Sequence, residues 1–191
     1  MKQMIFNMAL AVIVFTACNN DNKEKTTVDK KADTTQAAPT QTSQAKPATS
    51  TSDIIGGYLQ LKNALAGDDA TAAGFAAKSI SGAIAGLDKT TIPSDKKKIY
   101  DDIEADMKEH AEHIAGSTGK IDHQREHFEM LSKDMYDLVK TFGGGRLLYK
   151  DYCPMYNNGK GATWLSEVKE IKNPYLGKSM LTCGSVKEEL K

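Results

Sequence analysis

From residue 53 to residue 142 the apolar side chains recur every third or fourth position in four separate blocks, and that periodicity commits the chain to packed helices. The first block, Ile55, Tyr58, Leu59, Leu61 and Leu65, follows a capping serine at Ser52 and stops at Gly67. The second, from about Asp69 to Leu87, turns Ala73, Ala76, Ile80, Ala83, Ile84 and Leu87 inward, and its small residues predict close helix contact. Pro93 and Ser94 open the third, striped by Tyr100, Ile103, Met107, His110 and Ile114, and the stretch from Gly116 to Gly119 closes it. The fourth, Lys120 to Phe142, carries Ile121, Phe128, Leu131, Met135, Leu138 and Phe142 before three glycines end helical structure. Connections this short make consecutive helices antiparallel. The expected fold is all-α: an up-and-down four-helix bundle with an irregular, loop-rich C-terminal cap. In that cap Leu147, Leu148 and Tyr149 look extended, and Asn157-Asn158-Gly159, Asn173-Pro174-Tyr175 and Cys183-Gly184 read as turns.

The residues ahead of the bundle have a different character. Met1-Lys2-Gln3, an apolar run from Met4 to Phe15 and then Thr16-Ala17-Cys18 have the order of an export signal. The run is shorter than the roughly 20 residues that cross a bilayer. Cysteine directly after Ala17 resembles a bacterial lipobox, with Phe15 where leucine is usual. The reading is a lipoprotein signal peptide over 1–17, cleaved before Cys18. That resemblance implies a lipid on Cys18, hence a membrane-anchored protein of the bacterial cell envelope, facing the periplasm or the surface. From residue 19 to 51 the chain is Lys, Asp, Thr, Gln, Ser, Ala and Pro with little to bury, a disordered tether reaching roughly 30 Å. Residues 52–191 are left as one domain.

With 25 basic and 25 acidic residues the formal net charge is zero, and no basic stripe offers a nucleic acid a footing. Conventional catalytic signatures are missing as well. There is no Gly-rich phosphate loop and no nucleophile elbow, and Ser166 has no histidine near it in sequence, so an enzyme is not expected.

Two groups of residues have the chemistry of metal ligands. All 4 histidines fall on the third and fourth helices, as His110 with His113 and as His123 with His127. Spacings of three and four put each pair on one helix face. A hairpin turning near residues 117 and 118 brings His113 level with His123, and His110 level with Glu126 and His127. Imidazoles on facing helices suit Zn, Cu or Ni, with Asp106, Glu109, Glu112, Asp122 or Glu126 as outer acceptors. The bland alternative is a core histidine at His110 and solvated flank residues at the other three. The second group is Cys153, Met155, Met180 and Cys183, two thiols and two thioethers, the donors that favour Cu(I). A Cys153–Cys183 disulfide is the rival reading, since an even pair of cysteines in an exported protein defaults to one. It would stabilise the cap by roughly 3 to 4 kcal/mol. Trp164 reads as the apolar anchor of the cap, although an indole face can also cover a cation. The fourth helix carries the chain roughly 30 Å away from the histidine end before the cysteines begin, which makes two sites unless the tail folds back.

The motifs His123-Gln124-Arg125-Glu126-His127-Phe128, Tyr152-Cys153-Pro154-Met155, Gly161-Ala162-Thr163-Trp164-Leu165-Ser166, Ile171 to Gly177 and Met180-Leu181-Thr182-Cys183-Gly184 resemble the bacterial domain of unknown function 3347, over about Ile54 to Leu190. That family occurs as stand-alone exported proteins and attached to adaptor subunits of copper and silver efflux systems. The resemblance implies metal handling with no agreed activity. It carries over to Cys153, Met155, Met180 and Cys183, and less firmly to His123 and His127. The function expected is sequestration of copper, with zinc second, or its hand-over to heavy-metal efflux components. A disulfide-stapled interaction module that binds no metal is the alternative.

Overall fold

A computed structural model describes residues 50–191; the signal, Cys18 and almost all of the tether fall outside the described residues. Four long helices follow in order, α1 (Thr51–Ala66), α2 (Ala70–Ala85), α3 (Ser94–Gly116) and α4 (Ile121–Phe142). Each boundary has a local cause. At α1 the cap is Ser50, two residues ahead of the expected Ser52, and the Ser50 N–H donates to the Asp53 carboxylate at 2.8 Å. Asp69 caps α2 by accepting from the Ala72 N–H at 2.8 Å, which satisfies one of the donors a helix start leaves open. Gly143, with φ +83, ends α4 in a conformation that glycine adopts without Cβ strain. No described helix is long and apolar enough to cross a membrane.

Neighbouring helices pack in sequence order, α1 on α2, α2 on α3 and α3 on α4, as an up-and-down bundle requires. The core they enclose includes Ile54, Leu61, Leu65, Ile80, Ile84, Tyr100, Met107, Ile114, Phe128, Leu131 and Met135. Gly57 lets α1 and α2 close on each other, because a Cβ there would meet the Ile80 side chain at 2.9 Å. On α2 the small residue in close contact is Gly74, where a Cβ would meet the Thr118 hydroxyl at 2.9 Å and the Ala115 carbonyl at 3.6 Å.

The cap overturns the all-α expectation. Residues beyond the glycines form a three-stranded antiparallel sheet in the order β2-β1-β3, with β1 (Leu148–Cys153) central, β2 (Ala162–Ser166) and β3 (Ser185–Leu190). The fold is α+β, a helical bundle with a small sheet. In register, Asp151 faces Trp164 and Cys153 faces Ala162 across β1 and β2, and a bulge between Lys150 and Asp151 shifts the pairing with β3. β3 is Ser-Val-Lys-Glu-Glu-Leu, whose last four residues are good helix formers; it alternates in exposure and buries only Leu190. Its pairing with β1 outweighs its local preference. The charged edge also suits a strand that must not recruit another chain.

The sheet lies against the bundle through β2, which packs on α4 and more lightly on α1. Tyr58 ties the three together: its hydroxyl accepts from the Leu165 N–H at 3.0 Å and pairs with the Ser132 hydroxyl at 2.8 Å. Trp164 is buried, and its ring meets Tyr175 edge-on at 5.9 Å, so the anchor role is fulfilled.

Candidate metal centre

The turn between α3 and α4 sets the first shared feature. With the hairpin closing at residues 117–120, the end of α3 and the start of α4 lie side by side, and all four histidines meet. One ring nitrogen each of His113, His123 and His127 comes within 4.8 Å of the others. Among the described residues this is the group of three or more His, Cys, Asp or Glu side chains whose donor atoms converge. The His113 and His127 rings stack at 4.4 Å, and His123 meets His127 edge-on at 4.7 Å.

His110 stands outside the converging set but is tied to it, its Nδ1 lying 3.3 Å from Nδ1 of His127. A neutral pair shares one proton across that contact and fixes the orientation of the His127 ring. Both rings are pushed toward the neutral form. Burial lowers the His110 value first, and Glu109 and Asp106 oppose it. Burial also lowers His127, reinforced by His113, His123 and His110. Neutral imidazole is the form that ligates, so proton competition at these rings is weakened. His113 and His123 are exposed and His110 and His127 half-buried, so the group opens to solvent from a fixed inner wall.

Of the acidic neighbours, Glu126 reaches His123 Nδ1 at 3.0 Å and Glu109 lies 3.8 Å from His113 Nε2. Glu112 turns to Lys108 and Asp122 to Arg125. Asp106 contributes only through space, by its charge on His110. Glu109, Glu112 and His113 also line a surface cleft of about 360 Å³ with Gly116 and Ser117.

The sulfur set is arranged differently. Cys153 ends β1 in the core, Cys183 sits half-exposed ahead of β3, and their sulfurs are 3.1 Å apart with both thiols free. Two thiolates sharing a tetrahedral ion at 2.3 Å would be about 3.8 Å apart, so this pair is closer than a shared metal would hold it. Met155 and Met180 are 57% and 39% exposed, which leaves both thioethers at the surface instead of packed in the cap. The tail folds back. Asn157 donates to the Glu129 carboxylate at 3.3 Å, and Tyr156 stacks on Tyr175 at 4.4 Å, so the segment after Cys153 returns to α4 close to His127. A surface groove of about 520 Å³ runs there between Glu126, Glu129, Met130 and Tyr156. By Glu129 the chain has recovered about 20 Å of the roughly 30 Å that α4 gains, although among the described residues no cysteine joins the histidine group.

Sequence reasoning missed the buried charges that hold the tail in place. Arg125, inside the histidine motif, points away from it. It donates through Nε to the Pro174 carbonyl at 2.9 Å and through Nη2 to Asp68 at 2.6 Å and the Leu65 carbonyl at 3.1 Å. Asp68 in turn accepts from the Lys178 N–H at 3.0 Å. Lys62, fully buried, pairs with Glu167 at 2.9 Å, while the equally buried Asp151 accepts no hydrogen bond at either oxygen. The one sequence signal for these was a charge placed on an otherwise apolar stripe, as at Lys62 between Leu61 and Leu65.

Compared with known proteins, no curated protein and no solved structure matches the chain. One family model does match, over residues 54–146, which is the bundle and the glycines that end it. The match stops short of the cysteine segment, so the tail motifs lie outside it. Through residues 54–146 the chain belongs to the family described as protein of unknown function (DUF3347).

Proposed function

We propose that this protein is a copper-binding lipoprotein of the bacterial cell envelope, which holds the ion at His113, His123 and His127 for sequestration or transfer to an efflux system. The observation that carries the reading is the approach of three imidazole nitrogens to within 4.8 Å. Nitrogen donors on two helices suit Cu(II) and Zn(II), and Cu(II) stands above Zn(II) in the affinity order for a common ligand set. His110, outside the converging group, orients His127 in the way an outer partner orients a ligating histidine. Glu126 does the same for His123. Exposure of two of the three rings favours exchange over permanent burial, so the mechanism is ligand exchange and not catalysis. A three-nitrogen set with solvent access leaves a coordination position for an incoming donor.

The experiment is a competition titration of purified protein with Cu(II) and then Zn(II) against a chromophoric chelator. Substituting His113, His123 or His127 by alanine is expected to weaken binding by more than the roughly 10- to 100-fold that loss of an outer partner costs, and His110→Ala to fall within that lesser range. Equal affinity in all four variants would remove the reading.

A further inference from the structure

The two thiols are placed for a different chemistry. Their sulfurs are 3.1 Å apart and unbonded, one buried and one half-exposed, at the junction of β1 with the turn that leads into β3. We propose that Cys153 and Cys183 are a redox-active pair that exchanges with thiols, Cys183 being the sulfur attacked and Cys153 the leaving thiolate. This goes beyond the metal reading and needs no metal.

Access decides the direction of attack. Cys153 has no exposed surface, whereas Cys183 is partly exposed on a turn between Met180 and Gly184. An incoming thiolate therefore meets Cys183 first. The turn itself is held by the backbone, since the Cys183 N–H donates to the Met180 carbonyl at 3.0 Å and its carbonyl accepts from the Asn173 amide at 2.7 Å. Gly184 follows with φ +141, and a Cβ there would meet the Tyr152 carbonyl at 2.9 Å and the Trp164 ring at 3.0 Å. The turn is thus fixed close against β1, with Cys183 the more accessible residue of the pair.

The leaving side is prepared as well. Burial by itself raises the Cys153 thiol, but hydrogen bonding from Cys183, from the Met155 and Tyr156 N–H groups and from Asn173 outweighs it and brings the thiol below its ordinary value. Cys183 moves the opposite way, chiefly through its hydrogen bond to Cys153 and then through burial. A stabilised thiolate is the better leaving group and makes a disulfide easier to reduce.

The exchange balances in two steps. A small-molecule thiolate bonds to Cys183 Sγ as the Cys153–Cys183 bond breaks, and the electron pair departs on Cys153 Sγ. A second thiolate attacks the small-molecule sulfur of the mixed disulfide, releasing Cys183 and one molecule of oxidised reagent. Two reagent thiols are oxidised, the protein disulfide is reduced, and the two protons lost by the reagent pass to the protein thiolates. The reverse sequence re-forms the disulfide.

The test equilibrates the full chain, with chelator present so that metal plays no part, in buffers of defined reduced and oxidised glutathione. Acid quenching, alkylation and peptide mass mapping keep Cys18 separate from the pair. The expected result is a disulfide in oxidised glutathione that converts to dithiol in reduced glutathione without denaturant. In single variants, Cys153→Ser takes up glutathione at Cys183 at least about tenfold faster than Cys183→Ser takes it up at Cys153. A disulfide that resists reduced glutathione until the protein is denatured overturns the proposal, as does a pair that never oxidises. Equal rates in the two variants overturn the assignment of roles. The wild-type arm stands even if a variant fails to fold, and failure here leaves copper binding at the histidines untouched.

Discussion

Replacing Asp151 by asparagine should make the protein more stable at pH 8 and change its response to pH. Asp151 lies on β1 with no exposed surface, and neither carboxylate oxygen accepts a hydrogen bond. Burial pushes its carboxyl up to about 7, against a partial counter-pull from Lys62. In the unfolded chain the same group titrates at about 3.9. Between those values the folded state binds a proton that the unfolded state has lost, so stability present below the unfolded value drains away as pH rises through the folded one. At 1.36 kcal/mol per unit the full loss is about 4 kcal/mol, and about 2.5 kcal/mol of it falls between pH 5 and pH 8. Asparagine keeps the shape and never ionises. Urea unfolding of both proteins at several pH values is the assay, read as the difference between them so that other titrating groups cancel. The variant should gain about 2.5 kcal/mol on the wild type between pH 5 and pH 8. A difference that does not change with pH would refute the account of Asp151 as a buried, unpaired acid.

The other predictions concern how the tail is held to the bundle. Arg125→Ala, which strands Asp68 and two carbonyls, should cost about 3 kcal/mol in urea unfolding. Tyr58→Phe removes the hydroxyl shared by Leu165 and Ser132 and should cost about 1 to 3 kcal/mol while leaving the helical circular dichroism intact. At Gly177, φ is +54 and a Cβ would overlap the Asp68 carboxylate, so Gly177→Ala should destabilise by at least about 1 kcal/mol and loosen protection of the tail amides in hydrogen exchange.

The bundle was legible because its information is local. The stripes and breakers that end helices at Gly67, Gly116 and Gly143 are written within a few residues of where they act. The meeting of the histidines was legible for the same reason, since a hairpin of known spacing brings His110 beside His127. The sheet was not. Tyr149 and Tyr152 hint at a strand in β1, but Lys187, Glu188 and Glu189 in β3 have no strand preference, and only pairing with residues some forty positions back holds them extended. The return of the tail to α4 was equally hidden, because it depends on Arg125, Asp68 and Lys178, which meet across more than fifty residues. Neither composition nor periodicity carries such contacts. The sulfur atoms illustrate the same limit: proximity of Cys153 to Cys183 was anticipated, whereas the exposure of Met155 and Met180, both in the connections between strands, was not.

The copper reading is tested most directly by electron paramagnetic resonance of the protein loaded with one equivalent of Cu(II) at neutral pH. Three imidazoles from His113, His123 and His127 predict a spectrum split by several equatorial nitrogens, which shows fewer nitrogen lines in His127→Ala and is unchanged in a variant lacking Cys153 and Cys183. A spectrum of oxygen-ligated copper in the wild type, or one that His127→Ala leaves unchanged, would contradict the account.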